Sequence, residues 1–322
     1  MLALSNAQAQ RLIGAGSTFD YPIFSKWFAE YSAAHPGVQV NYQSIGSGGG
    51  IKQFCSGLVD FGASDMPMTD EMISSCKVKL VHLPVVLGAV MPIYNVPGVS
   101  NLRFSGDLLA AIYLGKVTNW NDALVAKDNP GVHLPDQKII VVHRSDGSGT
   151  SFIWTDYLSK VSKEWADGPS KGTSPSWPVG VGGKGNEGVS GLVRQLPGSI
   201  GYVELIYALQ NHITFGAVKN AAGNWITASI ASTTAAAGSV KSMPADFRVS
   251  ITNAPGADAY PISSFSWIIA PVEDQNPANR KVLKDLLSWI VKSGQSDSAA
   301  LSYAPLPENV VQKELQAIYA LK

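Results

Sequence analysis

Short β-rich runs alternate with helical periodicities along most of this chain, and that alternation restricts the fold more than any other feature. Val38-Gln39-Val40-Asn41-Tyr42 alternates with period two, and Leu58 to Ala63, Lys138 to His143, Ser199 to Leu205 and Phe265 to Pro271 are short β-rich runs set off by Gly or Pro. Between them, Phe24, Trp27, Phe28 and Tyr31 recur at i, i+3, i+4, i+7, with Pro22 at the start and Pro36-Gly37 at the end. Val282, Leu286, Trp289 and Ile290 predict a second amphipathic helix near the C-terminus. This order predicts an α/β fold with mostly parallel sheets, which take ligands at the carboxyl ends of their strands. At 322 residues the chain can form two ordinary domains or one large unit. Ala221 to Gly238, rich in Ala, Ser and Thr, reads as a surface helix or loop without a function.

Composition removes several classes of function. Lys plus Arg equals Asp plus Glu at 24 each, so there is no basic excess to neutralise a nucleic-acid backbone, and no nucleic-acid partner is expected. No apolar run reaches the roughly 18 residues of a membrane span. The longest, Leu83 to Tyr94, is broken by Pro84, Gly88 and Pro92 and reads as a buried strand. Met1 to Gln10 resembles the tail of a signal peptide, with Ala7-Gln8-Ala9 as a small-x-small cleavage pattern, which points to export; residues 1–9 are assigned to that remnant or to a disordered tail. Cys55 and Cys76 cannot form a four-thiolate metal site; a structural disulfide and two buried free thiols both remain open.

Three segments share one design. Gly14-Ala15-Gly16-Ser17-Thr18-Phe19, Gly46-Ser47-Gly48-Gly49-Gly50 and Asp146-Gly147-Ser148-Gly149-Thr150-Ser151 are Gly/Ser/Thr turns that open helices, the last two directly after strand-like runs. The first N–H groups of a helix lack intrahelical partners, and the peptide dipoles leave partial positive charge there. Glycines admit close approach and hydroxyls add donors, so three such turns point to an anion held between them. Arg144 can add a charge-assisted fork. The stretch GVGGKGNEG at 180–188 reads as a turn cluster between a strand and a helix, with a further anion loop as the alternative.

Enzyme signatures fail at these positions. Lys184 is followed by Gly185, and Pro178 stands where a Walker A glycine belongs. GxSxG and HExxH are absent, and the five histidines are scattered. Ser74-Ser75-Cys76-Lys77 matches SxxK without the motifs that give that pattern meaning.

Taken together, GAGSTF at 14–19, IGSGG at 45–49, VDFGASD at 59–65, IYLGK at 112–116 with NW at 119–120, RSDGSGTSF at 144–152, GGKGNEG at 182–188 and GYVE at 201–204 resemble the periplasmic phosphate-binding proteins of Pst-type ABC phosphate transporters. The matches follow the family's order over most of the chain. The resemblance implies a type II periplasmic binding protein with two α/β lobes and a ligand cleft between them: lobe 1 from 10–84 and 256–322, lobe 2 from 85–255. It implies inorganic phosphate held by Thr18, the Phe19 amide, Ser47, Asp65, Arg144, Ser148, the Gly149 amide and Thr150, with Asp146 supporting Arg144. Gly48 stands where the family commonly has Ser, which leaves Ser47 intact. It also implies a monomer without metal or cofactor that passes its ligand to an inner-membrane ABC permease and catalyses nothing. The alternative is a secreted phosphate-ester hydrolase reusing the anion cleft, which would need a nucleophile with an adjacent base, or a metal cluster. A residual reading of Asp65 is a cap for the turn after the Leu58–Ala63 run.

Overall fold

A computed structural model of the protein describes residues 10–273 and 276–322. The signal-peptide remnant read at 1–9 lies outside the described residues.

The first part of the chain runs β1 (Gln10–Gly16), α1 (Tyr21–Ala34), β2 (Val38–Ser44), α2 (Ser47–Cys55), β3 (Phe61–Ser64), α3 (Asp70–Ser75) and β4 (Leu80–Asn95). Next come β5 (Arg103–Phe104), α4 (Gly106–Tyr113), α5 (Ala123–Asp128), β6 (Ile140–Arg144), α6 (Gly149–Val161), α7 (Lys163–Asp167), β7 (Val181–Gly183), α8 (Gly185–Gln195), β8 (Ser199–Glu204) and α9 (Leu205–Gln210). The chain closes with β9 (Ala217–Lys219), β10 (Trp225–Ile226), α10 (Ile230–Ala237), β11 (Ser263–Pro271), α11 (Pro277–Lys292), two short 3₁₀ turns and α12 (Glu308–Ala320). The strand-like runs and both periodic helices of the sequence are found, although the run expected over Leu58–Ala63 is a strand only from Phe61 onward, and 225–237 forms a two-residue strand and a helix.

Eight strands form one sheet in the order β2-β1-β3-β11-β4-β8-β6-β7. Its parallel pairs, β1 with β2 and β3 and β6 with β7 and β8, lie toward its two ends, and the antiparallel pairs are in the middle. The hub is β4. Sixteen residues make it about three times the usual strand length, and its interior is buried throughout, as expected of a strand covered on both faces. Leu80 to Ala89 pair with β11, and Val90 to Asn95 pair with β8. One strand thus belongs to two lobes, with the change of partner at Ala89–Val90. The return crossing lies alongside, where the Val90 N–H donates to the Ile262 carbonyl at 2.9 Å just before β11 begins.

The prolines within β4 have a local consequence. Proline has no N–H for the ladder, and opposite Pro84 the register slips: Ser266 pairs with Val86 but Trp267 with Pro84. Such a bulge re-aims side chains, and the Ser266 hydroxyl turns into the interior between the lobes.

A second connection between the lobes is made by the segment from Arg248 to Thr252. Arg248 donates to the Met68 carbonyl at 2.7 Å and pairs with Asp70 beside β3, while Ser250 and Thr252 each donate to Asp156 of α6 at 2.6 Å.

Cys55, the last residue of α2, and Cys76, the residue after α3, form a disulfide. This settles the open question of the two thiols, and in the SxxK match the Ser74 hydroxyl donates to the Glu71 carbonyl at 2.8 Å within α3. The bridge closes a sequence separation of 21 residues, for which the chain-entropy argument gives about 3 kcal/mol. Thiol counting on the denatured protein is expected to find none free, and reduction to lower the melting temperature. A melting temperature insensitive to reductant would show that α2 and α3 hold together without it.

Candidate functional site between the lobes

The predicted turns meet at the seam. From the first lobe, Ser17, Thr18 and Phe19 follow β1, Ser47 opens α2, and Asp65 follows β3. From the second, Arg144 ends β6, Ser148 caps α6 by accepting from the Ser151 N–H at 3.0 Å, and Gly149 and Thr150 are its first residues. The N-termini of α2, α6 and α8 therefore crowd one small volume, where their unpaired N–H groups and dipoles favour negative charge. The lobes touch there directly: the Gly48 N–H donates to the Gly147 carbonyl at 2.9 Å.

Glycine makes that approach achievable. A Cβ at Gly149 would lie 2.4 Å from Ser47 Oγ and 2.5 Å from Asp65 Oδ2, so no other residue fits against the first lobe there. Gly46 has φ +84, and a Cβ on it would come within 2.4 Å of Asp146 Oδ2.

Arg144 is the cation of the cluster. Nε donates to Asp146 Oδ1 at 2.8 Å and Nη2 to Oδ2 at 2.5 Å, while Nη1 reaches Thr150 Oγ1 at 3.4 Å. The bidentate pair fixes the guanidinium plane and uses two of its five N–H donors. Burial pushes the Asp146 carboxyl up, but the Arg144 hydrogen bonds and charge, with the Gly185 N–H, bring it below the usual carboxylate value.

Asp65 faces Arg144 from the other lobe. Its carboxylate receives the hydroxyls of Ser17 at 2.5 Å, Ser266 at 2.9 Å and Ser47 at 3.5 Å. Those donors are side chains from three separate elements, an arrangement unlike a local turn cap. Burial pushes Asp65 up to about 6, against the lowering effect of these hydroxyls and the Arg144 charge.

Several participants carried no assigned role in the sequence. Asn186 donates to Thr18 Oγ1 at 2.8 Å and Thr150 Oγ1 at 3.1 Å, joining the lobes. It lies in the GVGGKGNEG stretch, which proves to be β7, the cap residue Lys184 and the first turn of α8 rather than a turn cluster lying between the two elements, and which also reaches the site. Tyr207 donates to the Thr18 carbonyl at 2.5 Å from the second lobe, and Tyr303 to the Phe19 carbonyl at 2.5 Å. Ser17 was visible in its motif without a role, Ser266 had no sequence signal at all, and Asp20 is buried behind both. The cluster is sealed, with Thr18, Phe19, Ser47, Asp65, Arg144, Ser148 and Thr150 all at most 3% exposed. No group of three or more His, Cys, Asp or Glu residues placed to hold a metal occurs among the described residues.

The sequence matches the family described as the PBP superfamily domain over residues 3–293. It is similar to a Xylella fastidiosa protein named phosphate-binding protein PstS, at 48% identity over 96% of this chain and 85% of that protein. Among solved structures, a phosphate ABC transporter substrate-binding protein from Clostridium perfringens with bound phosphate is similar at TM-score 0.69 and 18% identity, covering 92% of this chain and all of the other. A high-affinity periplasmic phosphate-binding protein called PfluDING, also bound with phosphate, is similar at TM-score 0.76 and 19% identity over 94% and 92% of the two chains.

Proposed function

This chain belongs to the family of PstS phosphate-binding proteins, and we propose that it captures inorganic phosphate between its lobes and delivers it to an ABC-type import permease. The observation that carries this reading is Arg144 set against Asp65 across a sealed cluster of hydroxyls and helix N-termini. A single cation with many neutral donors suits a small oxyanion, and an acceptor-only carboxylate suits an anion that keeps a proton.

On this reading phosphate is held by Thr18, the Phe19 amide, Ser47, Asp65, Arg144, Ser148, the Gly149 amide and Thr150, with Asp146 holding Arg144. The family and the solved neighbours support the ligand class; the residue assignments rest on the convergence described above. The lobes are assigned to 10–84 with 256–322 and to 85–255; the change of partner along β4, at Ala89–Val90, falls a few residues beyond the first of these boundaries, and the segment from Arg248 to Thr252 straps across the lobes. The disulfide fits an oxidising compartment, which supports a periplasmic or cell-surface location. The protein acts as a monomer without cofactor, and zero net charge agrees with the absence of a nucleic-acid partner.

The hydrolase alternative has no support in the relatives, which are named for binding.

Titration of ligand-stripped protein by calorimetry tests the proposal. One phosphate per chain is expected, and a chromogenic phosphate ester should be neither hydrolysed nor able to compete. Absence of phosphate binding, or turnover of the ester, would overturn it.

A further inference from the structure

Behind Asp65 lies a second buried acid that the phosphate site does not use. Asp20 precedes α1 and is 0% exposed. Its Oδ2 is hydrogen-bonded to Ser266 Oγ, the same oxygen that lies 2.9 Å from Asp65 Oδ1 and, more loosely, 3.4 Å from the Ser64 carbonyl. A serine hydroxyl carries one hydrogen. It cannot donate to two carboxylates, so two ionised acids would leave one contact as oxygen against oxygen with nothing between. One acid must therefore supply a proton of its own.

The surroundings decide which. Asp65 has the Ser17 and Ser47 hydroxyls and the Arg144 charge to support an ionised form. Among the described residues no cation pairs with Asp20, and its Oδ1 is buried without a hydrogen-bond partner. An orphaned oxygen is tolerable on the carbonyl of a neutral acid and costly on a buried carboxylate. We propose that Asp20 is kept as a neutral carboxylic acid that donates to Ser266, which in turn donates to Asp65, so that Asp65 meets the ligand as an ionised acceptor of fixed orientation. Asp20 is thus a positioning residue for the discrimination made at Asp65. Burial, and then the Asp65 charge, raise the Asp20 carboxyl well above its ordinary value, in keeping with this proton count. The other titratable groups acting on Asp20 are Glu204, pushed well above its ordinary value by burial, and the buried phenols of Tyr42 and Tyr303, pushed up by burial likewise.

The role of this relay rests on Asp65 taking the ligand's proton, but its protonation state can be read with no ligand present. Infrared spectra of ligand-free wild type and Asp20→Asn at pH 7 are expected to differ by loss of one protonated-carboxyl C=O band in the variant. Loss of an ionised-carboxylate band instead would overturn the proposal, whatever the protein binds. Ser266→Ala gives a second test should Asp20→Asn fail to fold. Removing a donor to charged Asp65 is expected to weaken phosphate roughly tenfold or more and to move the acid limb of phosphate binding to higher pH, because Asp65 then titrates higher. An unmoved acid limb would show that Ser266 does not donate to Asp65.

Discussion

Sulfate is expected to bind this protein roughly 10⁴–10⁵-fold more weakly than phosphate at pH 7, a difference of about 5.5–7 kcal/mol. The cause is Asp65. A carboxylate in an anion site repels its ligand unless the ligand brings a proton to share. Both common forms of inorganic phosphate near neutrality keep a P–OH that donates to Asp65, whereas sulfate has none, so carboxylate and sulfate oxygens would face each other as two acceptors. Arsenate, also protonated, should compete far better than sulfate. Asp65→Asn should narrow the gap, since an amide can donate to sulfate and removes the repulsion. The pH dependence has a definite sign. Burial raises Asp65 to about 6, so selectivity should be full above that pH and shrink as pH falls through it, because a protonated Asp65 becomes a donor. Calorimetric titrations with the three anions at pH 5 and pH 8 measure this. Equal affinity for sulfate and phosphate at pH 8 would remove Asp65 from the site.

Arg144→Ala is expected to weaken phosphate by about 2–5 kcal/mol, or roughly 30-fold to several thousandfold, as for truncating one side of a buried charge pair. The guanidinium is held by both oxygens of Asp146 and is the cation of the cluster. Its removal costs the ligand a charge-assisted partner and leaves Asp146 as an uncompensated negative group nearby. Arg144→Lys should recover little, because an ammonium cannot reproduce the planar fork. Wild-type affinity should fall only mildly with salt, since most donors are neutral dipoles in a dry interior. Unchanged affinity in Arg144→Ala would show that the anion is held elsewhere.

The sequence revealed those parts of the site where local chemistry repeats. Gly/Ser/Thr turns at helix starts have a physical signature, so the turns that carry Thr18, Ser47, Ser148, Gly149 and Thr150 could be found from their neighbours alone, while the family resemblance singled out these residues within them. Long-range partners have none. Ser266 reaches the site because a proline 182 positions earlier displaces the register of a neighbouring strand, and no window of sequence contains both. Asn186 sat in a visible glycine-rich turn, yet its bonds to Thr18 and Thr150 depend on how the lobes meet. The fold was legible for the same reason as the turns: alternating periodicities report single elements well. The run from Leu83 to Tyr94 was legible as a buried strand despite its prolines, but its service to both lobes was not, because the change of partner at Ala89–Val90 depends on β8 and β11, which lie far along the chain.

The seal has a kinetic meaning. If phosphate is held as proposed, by side chains at most 3% exposed, it cannot leave by loosening one bond at a time; the lobes must part first. Its residence time then cannot be shorter than the waiting time for that opening, however weak the individual contacts become. A chase with excess unlabelled ligand would run at a rate indifferent to the chaser's concentration. Affinity and exchange rate are thereby governed by different parts of the molecule, the first by the residues around the anion and the second by the two crossings and the strap that join the lobes.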